Sequence, residues 1–259
     1  MKKNELLEQW LAEEQAAHIH GWDFSHIHGR YQEENDLPWN YEQLVRRCLH
    51  SKAHILDMDT GGGEFLLSLG HPCQLISATE AYPPNVSLCR EQLLPLGIDF
   101  HEAEGRGPLP FPDNAFDLVL NRHGDYVASE VFRILKPSGI FLTEQVGREN
   151  DRDLVELLLN PAPPLPFPMQ YLEAARKDLE SCGFIILDGQ EAFRPIRFWD
   201  VGALVWFARI IEWEFSGFSV EGCLDGLYRA QALLEKNGVI QGTIHRYLLA
   251  AQKPGLNVF

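Results

Sequence analysis

Residues His54 to Leu66, HILDMDTGGGEFL, bring an apolar run, two acidic residues and a glycine-rich turn to one junction. The apolar run reads as a strand ending in Asp57, and the residues after the turn open a helix. Glycines at such a junction let the backbone approach a ligand closely, and a helix N-terminus presents N–H groups. The next strand-like run, QLISATE, ends in Glu80, 23 positions beyond Asp57. An acidic residue there takes both hydroxyls of a ribose in bidentate fashion. The two features together indicate a nucleoside-containing cofactor.

The type of cofactor follows partly by exclusion. A phosphate cradle needs a Gly-Lys-Ser/Thr ending, which is absent. A dinucleotide fingerprint needs G-x-G-x-x-G, but counting from Gly61 and Gly63 the third position is Leu66. Asp57 also repels a pyrophosphate and welcomes a cationic ligand with an α-amino group. S-adenosyl-L-methionine has that group and a positive sulfonium.

The elements that must position these residues alternate. HILDMD, QLISATE, IDFHEAE, FDLVLNR and GIFLTEQ are strand-like, and ASEVFRILKP is a helix ending at Pro137. Strands alternating with helices give an α/β fold with a parallel sheet covered on both faces. NPAPPLPFP is a loop, QYLEAARKDLESCGF a helix stopped by Gly183, FIILDGQ a strand and IHRYLLAAQK the last strand. Trp199 to Phe215 and Val220 to Lys236 read as helices, and Leu6 to Leu11 and Tyr41 to Leu49 repeat at helical spacing. The expected organisation is an N-terminal helical cap segment at 1–50, a core at 51–190, a helical cap insertion at 191–242 and a last core strand with tail at 243–259, in one compact domain. All six tryptophans lie outside Ser51 to Asn150, so the flanks are expected to form an aromatic-rich cap.

LDMDTGGGE, Glu80, LPFPDNAFDLVLNRH and SEVFRILKPSGIFL together resemble the class I S-adenosylmethionine-dependent methyltransferases, in the group called type 11. The resemblance runs from about Ala53 to Gly147, and the flanking GWDFSHIHGR, LPWNY and RFWDVGALVWF are similar to a bacterial branch of that group. It implies a Rossmann-like seven-stranded sheet, mostly parallel, whose last strand at about His245 to Lys253 runs antiparallel. It also implies that Asp57, Asp59, Thr60, Gly61 and Gly63 bind the methionine and ribose portion and that Glu80 with Ala81 binds the ribose hydroxyls. Glu102 and the Ala103 backbone would meet the adenine, and Asn121 would lie near the methyl-donating end. The family usually has glycine where Asp59 stands. In a left-handed conformation Asp costs on the order of 1 kcal/mol over glycine, partly recovered by an Asx-type turn. Replacing Asp59 by glycine is therefore expected to keep or tighten cofactor binding.

Methyl transfer needs collinear alignment in a dry site, and a general base only where the acceptor must lose a proton. His123, directly after the LVLN strand, is the candidate base or a loop-ordering and cofactor-contacting residue, with Asp125 beside it. Trp22, Trp39, Tyr41 and Trp199 are candidates to line the acceptor pocket, although simple packing accounts for Tyr41 equally well. His18, His20, His26 and His28 lack a partnering carboxylate pattern, so no metal is expected.

A formal charge of −15, spread evenly, leaves no basic stripe for a phosphate backbone and disfavours nucleic acid as a partner. The five cysteines form no CxxC pair and fit reduced thiols in the cytoplasm. The N-terminus has no apolar signal region, and the longest apolar stretch, Val201 to Ile211, is too short and interrupted by Arg209 to span a membrane. The leading expectation is a methyltransferase acting on an O or N atom of a small-molecule acceptor. The alternatives are an enzyme acting on RNA or protein, with Arg46 and Arg47 helping, and a non-catalytic cofactor-binding protein.

Overall fold

Short apolar runs separated by amphipathic stretches become strands and helices in alternation. The computed structural model describes residues 3–18, 23–33 and 36–255. In chain order these hold α1 (Lys3–Ala16), β1 (Tyr31–Glu33), α2 (Tyr41–Cys48), β2 (Ile55–Met58), α3 (Glu64–Ser68), β3 (Ile76–Glu80), α4 (Pro83–Gln92), β4 (Asp99–Glu102) and β5 (Phe116–Arg122). There follow α5 (Ala128–Ile134), β6 (Leu135–Val146), α6 (Arg152–Leu158), α7 (Leu172–Ser181), β7 (Ile185–Phe198), α8 (Val201–Ile210), α9 (Leu224–Asn237) and β8 (Ile240–Gln252). The chain divides into two compact units. One comprises Met1–Leu37, Gly147–Pro168 and Ala192–His245; the other comprises Pro38–Val146, Met169–Glu191 and Arg246–Phe259.

The second unit carries the α/β sheet, in the strand order β7-β8-β6-β5-β2-β3-β4. β2 pairs in parallel with both β3 and β5, β3 with β4, and β5 with β6. The antiparallel last strand is β8, with Arg246 opposite Val146 and Gln252 opposite Ile140. One face of this sheet buries Leu56, Met58, Val119, Phe141 and Leu249 against Val131 and Ile134 of α5 and Leu179 of α7. By the alternation of a strand, Ile55, Leu118, Leu120 and Leu142 point to the other face, and all four are buried as well. The carboxyl ends of β2, β3 and β5 therefore rise from a sheet packed on both sides, which fixes the residues that follow them.

The first unit has its own core. Trp10 and Leu6 of α1, Ile196 and Phe198 of β7, almost the whole of α8 and Leu227 and Ala230 of α9 pack together. Trp10 meets Tyr228 edge-on at 5.3 Å, and His26 stacks on Trp206 at 5.4 Å while bonding Glu13 at 2.7 Å. The described histidines of the HIHGWDFSHIH stretch thus include one committed to packing; His20 lies outside the described residues. Among the described residues no helix is long and apolar enough to cross a membrane.

Four expectations are corrected. The seven strands become eight, because Tyr31 to Glu33 pair antiparallel with Phe198 to Ile196. A three-residue strand has too little alternation to read, and its partner is hidden behind Pro195. For the same reason 191–242 is not wholly helical: its first residues prolong β7 and its last begin β8. The helix expected to reach Pro137 stops at Ile134, where Leu135 pairs with Phe116 and Lys253 Nζ bonds the Phe132 and Leu135 carbonyls at 2.8 Å. The helices expected from Trp199 and Val220 begin at Val201 and Leu224.

Truncating Trp10 to alanine empties a fully buried site. Its expected cost is about 3–5 kcal/mol, read as a lowered midpoint of chemical denaturation.

Candidate functional site

The turn after β2 is fastened to the end of β3. Thr60 N–H donates to the Thr79 carbonyl at 3.0 Å, and Gly61 N–H donates to Glu80 Oε2 at 2.8 Å. The backbone N–H groups of Ala81 and Tyr82 reach Glu80 Oε1 at 2.8 and 2.9 Å, and Asn85 Nδ2 reaches Oε2 at 3.2 Å. Gly61 has φ +65°, and the space beside its α-carbon is open, with no atom within 4 Å of where a Cβ would stand. A ligand can therefore approach this backbone closely. Gly63 precedes α3 and packs its backbone against Leu93.

Two further carboxyls crowd the same end of the sheet. Asp57 is buried and accepts from Thr60 Oγ1 at 2.6 Å. Burial pushes it up to about 6, with Glu80 adding repulsion, against the opposing effects of the Thr60 bond and Arg122. Asp59 does take the left-handed conformation, φ 55°. Burial first, then Glu80, Asp125 and Asp57, push its carboxyl up to about 7. The Asp59 carboxylate lies so close to Gly124 that any Cβ there would overlap it.

Beyond β5 the expected residues separate into different surroundings. Asn121 is fully buried; its Oδ1 accepts from Gln145 Nε2 at 2.5 Å and from Thr143 Oγ1 at 3.2 Å, while its Nδ2 has no partner. It belongs to a closed network rather than an open mouth. Arg122 lies over the Phe65 ring at 5.2 Å and the Tyr41 ring at 6.0 Å. Tyr41 is buried, and its hydroxyl donates to the Leu142 carbonyl at 3.3 Å. His123 is left-handed, φ 63°, and its Nε2 stands 3.7 Å from Glu144 Oε1. Desolvation by its neighbours, then Arg246 and Arg122, hold its imidazole below the usual value, although the side chain keeps 39% of its surface exposed. Trp39 Nε1 donates to the other oxygen of Glu144 at 2.6 Å.

The remaining candidates are less engaged. Asp125 is exposed and bonded to Arg106 Nε at 2.6 Å. Glu102 is exposed and bonded to Arg90 at 2.7 Å, and the Ala103 N–H is donated to the Glu80 carbonyl at 3.2 Å. Trp199 belongs to the other unit and is 42% exposed; Trp22 lies outside the described residues. That other unit has a groove of about 620 Å³ beside Trp10, Glu13 and Arg30, and none of the expected cofactor residues line it. Glu144, Asn85 and Arg122 are the residues sequence reasoning missed. A buried acid inside GIFLTEQ was the one available hint.

Residues 56–143 match a family model described as a methyltransferase domain. The demethylmenaquinone methyltransferase of Deinococcus radiodurans is 30% identical over 115 residues, 40% of this chain and 47% of that protein. The ubiquinone/menaquinone biosynthesis C-methyltransferase UbiE of Pseudoalteromonas translucida is 28% identical over 147 residues, 48% of this chain and 58% of that protein. The chain thus spans about half the length of the curated relatives it matches. A candidate methyltransferase from Bacillus halodurans shares the fold with a TM-score of 0.58 at 18% identity, over 83% of this chain and 99% of the other.

The strain and burial at Asp59 have a measurable sign. Its folded value lies above the usual 3.8, so its contribution to stability is greatest at low pH and is lost as pH rises towards 7 and beyond. Asp59→Gly removes both the left-handed strain, about 1 kcal/mol, and the buried charge. The expected gain in denaturation midpoint is therefore larger at pH 8 than at pH 5.

Proposed function

We propose that this chain, which carries a class I methyltransferase domain over residues 56–143, is an enzyme that methylates a small molecule with S-adenosyl-L-methionine. The observation that carries the reading is the crowding of Asp57 and Asp59 beside Glu80, both carboxyls pushed up by burial and mutual repulsion. Acids so placed gain from a bound cation. The open space at Gly61 lets a ligand backbone come close, and together these residues fit the group. S-adenosyl-L-methionine supplies an electrophilic methyl on a positive sulfur. Asp57, Asp59, Thr60 and Gly61 would hold its charged amino-acid part. Glu80, already oriented by four N–H donors, would take the ribose, with Asn85, the longest of the four, the donor to give way. The chain's main contribution is alignment in a site shielded from water.

The acceptor atom is an O or N of a small molecule in the first reading. A second reading, a ring carbon of a quinone-type molecule, is favoured by the two curated relatives, a demethylmenaquinone methyltransferase and a quinone-biosynthesis C-methyltransferase. The charge of −15 speaks against RNA. Five free cysteines accord with a cytoplasmic location.

Binding of a cation lowers the Asp59 value, so at pH 7 binding should release on the order of half a proton, and affinity should rise from pH 6 to pH 8. Calorimetry in buffers of different ionisation enthalpy reads the release. Asp59→Gly should suppress most of it, leaving affinity unchanged at pH 6. At pH 8, contrary to the expectation from the sequence, it should weaken binding, because the buried carboxylate that favours the cation is gone. Glu80→Ala should weaken binding tenfold or more, about 1.4 kcal/mol or above; unchanged affinity sinks the ribose assignment. Methyl-labelled S-adenosyl-L-methionine added to a metabolite extract, with and without ribosomal RNA, tests the reaction. Label in small molecules supports the proposal, and its attachment to O, N or C decides between the readings; label only in RNA or protein, or binding without transfer, overturns it.

A further inference from the structure

Glu144 is a buried acid at the carboxyl end of β6 that the cofactor reading leaves without a task. It is 7% exposed, and its partner Trp39 is 8% exposed. An indole N–H is a donor only, so the 2.6 Å bond commits Glu144 Oε2 to Trp39 and leaves Oε1 facing His123 Nε2 at 3.7 Å. The placement of His123 is equally constrained. Its N–H donates to the Glu144 carbonyl at 2.8 Å, prolonging the β5–β6 pairing by one residue. The chain then turns left-handed at His123 itself, a conformation uncommon for a non-glycine residue and costly unless its surroundings impose it. Asp125, the other acid of this loop, is engaged by Arg106 on the surface.

We propose that Glu144, clamped by Trp39, is a positioning residue that holds His123 with its proton on Nε2 and its Nδ1 lone pair available to the methyl acceptor. This rests on the methyltransferase reading and extends it to the acceptor. His123 Nδ1 takes the proton of the accepting atom. The electron pair left behind forms the new bond to the methyl carbon, and the old C–S pair stays on sulfur. The imidazolium so formed keeps its Nε2–H towards the Glu144 carboxylate and later returns the Nδ1 proton to water. The charged groups acting on the imidazole are Arg122 and Arg246, which disfavour its protonated form, and Glu144, which favours it. Tyr41 and Asp57 share this end of the sheet. Such a relay is useful only where the acceptor carries a proton to lose. The acceptor class is therefore a hydroxyl or a phenol, rather than a tertiary amine or a thioether.

Nitrogen NMR of the full chain with ring-labelled histidine, His123 being assigned by its loss in His123→Asn, reads the tautomer directly. The expected wild-type form is protonated on Nε2. In Glu144→Gln that preference should weaken, and labelled methyl transfer at pH 7 should fall about 10- to 100-fold, within the span of general-base effects. Affinity for S-adenosyl-L-methionine should change less than about twofold, and the acidic limb of the pH–rate profile should move down as the carboxylate is lost. Trp39→Phe, which keeps the ring and deletes the N–H, should give a smaller loss in the same direction. A wild-type His123 protonated on Nδ1, or a Glu144→Gln protein with unchanged tautomer and rate, overturns the relay. A chain that binds no S-adenosyl-L-methionine overturns the function reading alone, and the tautomer still decides the relay.

Discussion

The carboxylate of Glu80 does two jobs that depend on one another. By accepting from Gly61 N–H it sets how the turn after β2 leaves the sheet, and by accepting from Ala81 and Tyr82 it sets how the chain leaves β3. Without it the N–H of the left-handed Gly61 would lose its partner at the end of β3. The fastening has an electrostatic consequence. Its negative charge lies close enough to Asp57 and Asp59 to help raise both. The device that closes the turn therefore also makes the site favour a cation over a phosphate.

What the sequence makes legible follows from how local each signal is. Strands β2 and β5 centre on apolar runs in the middle of a parallel sheet, buried on both faces, and such runs announce themselves. The acid and the glycines at the end of β2 and the acid at the end of β3 are carried by single strand–turn junctions, so they too can be read. β1 and the far half of β7 cannot, because they are strands only by virtue of each other. Glu144 was hidden for a similar reason. Its role depends on the register that sets Glu144 beside Arg122 and on a tryptophan 105 positions away in the chain. Asn121 shows the converse failure. It stands at the expected strand end, but its side chain turns into a network with Thr143 and Gln145 that only the neighbouring strand could supply.

Two non-glycine residues in this unit, Asp59 and His123, are left-handed at the carboxyl ends of adjacent strands. Each is held against another segment: the His123 N–H donates to the Glu144 carbonyl, and the Asp59 carboxylate packs against Gly124. The two conformations support one another. The left-handed turn at His123 carries Gly124 against the Asp59 carboxylate, where a Cβ would overlap it. Gln145 closes the arrangement by donating to the Gly124 carbonyl at 3.0 Å. Relaxing either strained residue would therefore disturb both the acid beside the turn after β2 and the imidazole beside Glu144. Strain persists where surroundings over-determine it. Here the surroundings are the same segments to which the proposed reaction is assigned, so its two ends, the grip on a cation and the removal of a proton, are mechanically one assembly.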